Sequence, residues 1–131
     1  MSKAPLPNKT PALRVVPMPS EINDRGTIFG GWLMSQMDLA CFTKAVKCTR
    51  GWVTTVAANS VVFESPVFVG DVVNIYVDII RIGTTSLTLG LEVYSERLNE
   101  NMESYRVARG EMVFVAIDEN YKPRPIPPEN E

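Results

Sequence analysis

The spacing of apolar and polar residues changes once along this chain, near residue 52. From Gly30 to Lys47 apolar side chains recur at helical spacing and cover nearly every side, which predicts a buried helix of about four to five turns. Arg50 and Gly51 are its stop signal. Beyond Trp52 the pattern alternates. Val53 to Phe63 is rich in β-branched residues and is closed by Pro66. After a Val69-Gly70-Asp71 turn, Val73, Ile75, Val77 and Ile79 point one way while Asn74, Tyr76 and Asp78 point the other. Gly83-Thr84-Thr85 reads as a hairpin connection. Leu87, Leu89, Leu91 and Val93 then alternate with Thr88, Gly90, Glu92 and Tyr94. Asn99 to Met102 is a polar loop, and Tyr105 to Ile117 is a last strand with weaker alternation.

Upstream of the helix, Ala12 to Met18 reads as a short strand. Residues 19–29 form a loop with Asn23, Asp24 and Gly26 as turn-formers. The order is thus one short strand, one helix and four long strands joined by short turns, which favour antiparallel pairing. A single sheet wrapped round one helix satisfies both elements, an α+β architecture with five to six strands. With no internal repeat or linker, residues 1–131 are expected to form one domain. Pro-rich ends at 1–11 and 122–131 are expected as extended or mobile arms.

The polar residues of the helix are unevenly placed. Gln36, Thr43, Lys44 and Lys47 share one sector of roughly 100° on a helical wheel. Asp38 projects from nearly the opposite side, among Met34, Cys41, Phe42 and Ala45. Desolvating an unpaired carboxylate costs several kcal/mol, so its position needs a reason. It is either a structural acid bonded to backbone or water, or a functional one. Gly30-Gly31 is either a tight entry to the helix or a place where a ligand approaches its unpartnered first amides. No Gly-Lys-Ser/Thr follows and no strand leads directly in, so the pattern is not that of a P-loop. Asn23 is either a turn residue or a polar group of the same site.

Bulk properties narrow the chemistry. Composition is 45% hydrophobic and 21% charged, ordinary for a soluble domain. A formal net charge of −2 gives no basic surface for nucleic acid. No apolar run approaches a membrane span, and no secretory signal is visible. There is no histidine, which removes Ser-His-Asp and Cys-His catalysis and the usual zinc sites. The two cysteines, Cys41 and Cys48, are seven residues apart on the helix, about 10 Å along its axis. That is too far for a disulfide, so they are expected to be reduced in a cytoplasmic protein.

The loop and helix also carry a family resemblance. Met18-Pro19, Asn23, Gly26, Ile28-Phe29-Gly30-Gly31-Trp32 and Met34-Ser35-x-Met37-Asp38 resemble the signature of hotdog-fold acyl-CoA thioesterases of the YciA type. Phe63-x-x-Pro66-Val67-x-Val69-Gly70-Asp71, Gly83-Thr84-Thr85-Ser86, Phe114 to Asp118 and Lys122-Pro123-Arg124 extend it over roughly residues 12–127. The resemblance implies a hotdog fold and homodimers with a continuous sheet, often built into hexamers. It implies active sites at the dimer interface, with Asp38 from one subunit and Asn23 from the other.

The expected reaction is hydrolysis of an acyl-CoA thioester to free acid and CoA. Asp38 would act as general base or nucleophile. The Gly31 N–H, beside Gly30 at the positive helix end, would polarise the carbonyl, and Asn23 would orient water or carbonyl oxygen. No metal or redox cofactor is required; CoA enters as part of the substrate. Arg81, with Gly83, Thr84, Thr85 and Ser86, and Lys122 with Arg124 are the candidate CoA contacts. Partners are the acyl-CoA and a second copy of the chain, with no nucleic acid or membrane. The competing class is a non-catalytic acyl-CoA sensor or assembly protein.

Overall fold

The computed structural model describes residues 3–128; the outermost parts of both expected arms, 1–2 and 129–131, lie outside the described residues. The elements are β1 (Leu13–Val15), a 3-10 turn (Pro19–Glu21), α1 (Gly30–Thr49), β2 (Val53–Phe63), β3 (Val72–Ile82), β4 (Ser86–Arg97) and β5 (Glu103–Ala116). The five strands form one antiparallel sheet in the order β1-β3-β4-β5-β2. β1 is shorter than the alternation predicts, because Pro17 and Pro19 cannot donate to a ladder. α1 runs two residues further than Lys47 and ends on Arg50 in the left-handed region (φ 56°), whose N–H donates to the Val46 carbonyl.

Helix and sheet share one core. Leu33, Met37, Ala40, Cys41 and Ala45 face Val73, Ile75, Leu89, Val93 and Phe114, all buried. Ala40 and Ala45 are small enough to let the helix lie close on the strands. Full burial of Leu33 or Met37 contributes about 1.5–3 kcal/mol each. The apolar face of α1 is wider than the part the sheet covers: Leu39 is 52% exposed and Phe42 45%. Next to them runs β2, an eleven-residue edge strand with Val56, Val62 and Phe63 open to solvent. A long apolar edge of this kind is a template for pairing with another chain.

Both arms are tied to the body. Lys3 forms a bridge with Tyr105, the Ala4 N–H donates to Ser104 O, and Lys9 pairs with Asp78. At the other end Arg124 N donates to Ala116 O, and Ile126 N to Thr84 O. Among the described residues, no helix is long and apolar enough to cross a membrane.

Candidate active site

The loop before α1 is shaped by Asn23. Its side-chain oxygen accepts from Arg25 N (2.9 Å) and Thr27 N (3.1 Å), and its amide donates to Thr27 Oγ1 at 2.9 Å. The turn-forming role is therefore realised, and one amide proton is left for a ligand. Thr27, which the spacing did not single out, completes this turn. Ile28 N then donates to Val67 O and Phe29 N to Glu21 O, which aims the chain into the helix.

No side chain caps the start of α1. The amides of Gly30, Gly31 and Trp32 find no acceptor among the described residues. A Cβ added at Gly31 would meet nothing within 4 Å, whereas one at Gly30 would touch the Phe63 ring at 3.8 Å. Glycine at 31 thus leaves open space over a donor at the positive end of a twenty-residue helix. A groove of about 330 Å³ lies beside Gly30, with Leu33, Phe63 and Pro66 also on its walls, and it is bordered by neither Gly31 nor Asp38.

Asp38 lies further along α1, half-buried at the border between the covered face and the open Leu39/Phe42 face. Thr55 Oγ1 on β2 donates to Asp38 Oδ1 at 2.6 Å, the one hydrogen bond Asp38 makes among the described residues. The carboxylate is fixed by one oxygen and presents the other. Alternation along β2 could not say which of Thr54 and Thr55 meets the helix, because the ladder shifts register between Thr55 and Ala57. Cys41, one turn away, is buried: burial, and secondarily the Asp38 charge, push its thiol up to about 12.

The candidate CoA contacts gather at the opposite end of α1. The Gly83–Ser86 hairpin closes through Gly83 N to Ser86 O (2.8 Å), and its Thr84 and Thr85 carbonyls accept from Ile126 N and Ala116 N. Arg81 donates to Thr88 Oγ1. Lys122 is exposed and its ammonium is unpartnered among the described residues. Arg124 is engaged differently: Nε donates to Ile117 O (3.0 Å), Nη1 to Thr49 O (3.1 Å) and Nη2 to Trp52 O (3.4 Å). It caps the helix C-terminus. A larger cavity, about 820 Å³, has Lys44, Lys47, Val77 and Ile79 on its walls, but neither Asp38 nor Gly31 borders it. Among the described residues no group of three or more acidic or Cys side chains could hold a metal.

Residues 25–101 match the thioesterase superfamily, and the chain belongs to that family. Within it the chain is similar to the acyl-CoA thioester hydrolase YciA of Escherichia coli K12, with 39% identity over 119 residues, 89% of this chain and 90% of that protein. The hexameric thioesterase y2039 from Yersinia pestis is 39% identical with a TM-score of 0.88, over 94% of this chain and 100% of that one. HI0827, a hexameric broad-specificity acyl-coenzyme A thioesterase, is 39% identical with a TM-score of 0.88, over 96% of this chain and 86% of that one. The resemblance carried by the loop and helix motifs is borne out, and so is the hotdog fold.

Proposed function

We propose that this chain hydrolyses acyl-CoA thioesters to a carboxylic acid and CoA, at sites each shared between two copies. One observation carries the reading. Asp38, held by Thr55 with one oxygen presented, stands seven residues from the open Gly31 amide on the same helix, about 10 Å along the axis. A base or nucleophile and an oxyanion donor must each lie about 3 Å from the reacting atoms, a separation that a Gly31 from a second copy would close. The open Leu39/Phe42 face and the β2 edge are where a second copy would bring its Gly31 to this Asp38. The hexameric relatives support self-association.

In the general-base form, Asp38 Oδ2 takes a proton from water, whose oxygen attacks the thioester carbonyl carbon. The Gly31 N–H stabilises the resulting oxyanion, and Asn23 orients the carbonyl or the water through its remaining amide proton. Collapse breaks the C–S bond. The CoA thiolate leaves, and the proton held by Asp38 neutralises it. In the nucleophilic form Asp38 itself attacks and water then opens the anhydride. Single-turnover hydrolysis in ¹⁸O-water separates the two: an anhydride opened at the Asp38 carbonyl puts the label in the Asp38 carboxylate, whereas the general-base route puts it in the released acid. Neither form uses a metal or redox cofactor. At the far end of α1, Lys122, Arg81 and the hairpin hydroxyls are the groups left to meet the CoA phosphates.

The test is free-thiol release from a panel of acyl-CoAs by wild type and Asp38→Ala. Loss of about 10²–10⁴ in kcat with oligomer and fold retained is expected. Wild-type turnover in the variant removes Asp38 from the mechanism. Absence of turnover by the wild type, with CoA still raising the Tm, would make the chain a binding protein instead.

A further inference from the structure

We infer that Arg97 is a positioning residue for this reaction: its guanidinium locks the Pro66–Asp71 turn, and that turn holds the loop that delivers the Gly31 amide. The inference rests on the preceding reading, in which Gly31 is the oxyanion donor. Arg97 is the last residue of β4. Its guanidinium carbon lies 4.6 Å from the ring centroids of both Phe68 and Tyr105. In its plane, Nε and Nη2 donate to Asp71 Oδ1 (3.1 Å) and Oδ2 (2.9 Å), and Nη2 also donates to Pro66 O (3.2 Å).

The turn is thereby held at three points. Asp71, with its side chain 2% exposed, closes the turn on itself by accepting from Phe68 N at 3.0 Å. Phe68 covers one face of the cation, and Pro66 O accepts at the edge. Between these fixed points sits Val67, whose carbonyl accepts from Ile28 N at 2.9 Å. Ile28 is buried and stands two residues before Gly30. A single hydrogen bond thus passes the position of the turn to the helix entry. Arginine suits this place because one flat cation offers two faces for rings and two parallel donors for a carboxylate; lysine offers a point charge.

The test compares Arg97→Met and Arg97→Lys with Ile75→Val, which trims the core on β3 away from the turn. Steady-state hydrolysis and hydrogen exchange at the Ile28 amide are measured on folded protein. Arg97→Met should lower kcat about tenfold with KM within twofold, because Arg97 itself borders neither the groove beside Gly30 nor the candidate CoA contacts. It should also speed Ile28 exchange about tenfold. Arg97→Lys should fall between, and Ile75→Val should lower the Tm while keeping kcat and Ile28 exchange. Phe68→Leu, which removes one stacking face, carries the same expectation should Arg97→Met not fold. Unchanged kcat or unchanged Ile28 exchange in the folded variants overturns the inference. If instead Asp38→Ala keeps wild-type turnover, the reaction scheme falls, and Ile28 exchange alone then decides whether Arg97 holds the helix entry.

Discussion

Arg124→Ala should lower stability by about 2–3 kcal/mol, although the sequence pattern placed this residue among the CoA contacts. Its guanidinium joins three segments: Thr49 O at the end of α1, Trp52 O before β2 and Ile117 O after β5. Two of the bonds, at 3.0 and 3.1 Å, are well formed; the third, at 3.4 Å, is weak. Hydrogen bonds from a charged group contribute roughly 1.5–3 kcal/mol each when buried, and less at a half-exposed site where water replaces them. A cation at the negative helix end adds about 0.3–1 kcal/mol. For a domain of this size the sum corresponds to a fall of about 10 °C in Tm.

A double-mutant cycle isolates this clamp. A Cβ at Gly51 would stand 2.5 Å from Arg124 Nη2 and 3.1 Å from Cζ, so Gly51→Ala must push the guanidinium off its carbonyls. In the wild-type background Gly51→Ala should cost about 1–2 kcal/mol. In the Arg124→Ala background the clash is gone, and the same change should be neutral or stabilise by about 0.5 kcal/mol through the unfolded chain. Thermal and urea melts at fixed protein concentration read the effect, since an oligomer's Tm depends on concentration. Additivity within about 0.5 kcal/mol, or an Arg124→Ala variant with unchanged Tm and a raised KM for acyl-CoA, would refute the capping role and favour a phosphate contact.

Three further outcomes are expected. Thr55→Val should lower kcat about tenfold while Thr55→Ser stays near wild type, because in the proposed reaction the hydroxyl would fix which Asp38 oxygen is presented; steady-state kinetics checks it. Cys41, buried and with its thiol held near 12, should resist iodoacetamide at pH 8 in the native state and react after unfolding, read by mass spectrometry. Arg106, bonded to Glu64 through Nε and Nη2, holds the Glu64 carboxyl below its ordinary 4.5, against a smaller opposing effect of burial. A lowered acid stabilises the native state above its unfolded value and loses that contribution as pH falls through the folded one. Tm should therefore decline below about pH 4.5, and Arg106→Met should flatten the decline in part, since Glu103, lowered by Lys3, titrates in the same window.

Much of the candidate site was legible because it is local. Gly30, Gly31 and Asp38 sit on one helix, so residue type and a 100° step suffice to place an open amide and an acid off the polar stripe. Asn23 was legible as a turn-former, and its bonds to Arg25 and Thr27 realise that role. Thr55 was not legible, since a register shift in β2 decides which threonine meets the helix. Arg97 was not legible either: Asp71 lies 26 residues away, and Phe68 and Tyr105 reach it from different segments. Phe42 lies on the part of the apolar helix face that the sheet leaves uncovered.

By itself the sequence determined the order of elements, the antiparallel pairing, the acid on α1 and the absence of histidine chemistry, because periodicity and residue type are properties of neighbouring positions. Only the tertiary structure decided which groups hold those elements in register. Arg124 became a helix cap because folding brings the tail across the end of α1. Asp38 acquired Thr55 because β2 passes beside the helix. The edge of β2 and the uncovered Leu39/Phe42 stripe came to lie side by side, for a single sheet cannot cover every side of so apolar a helix.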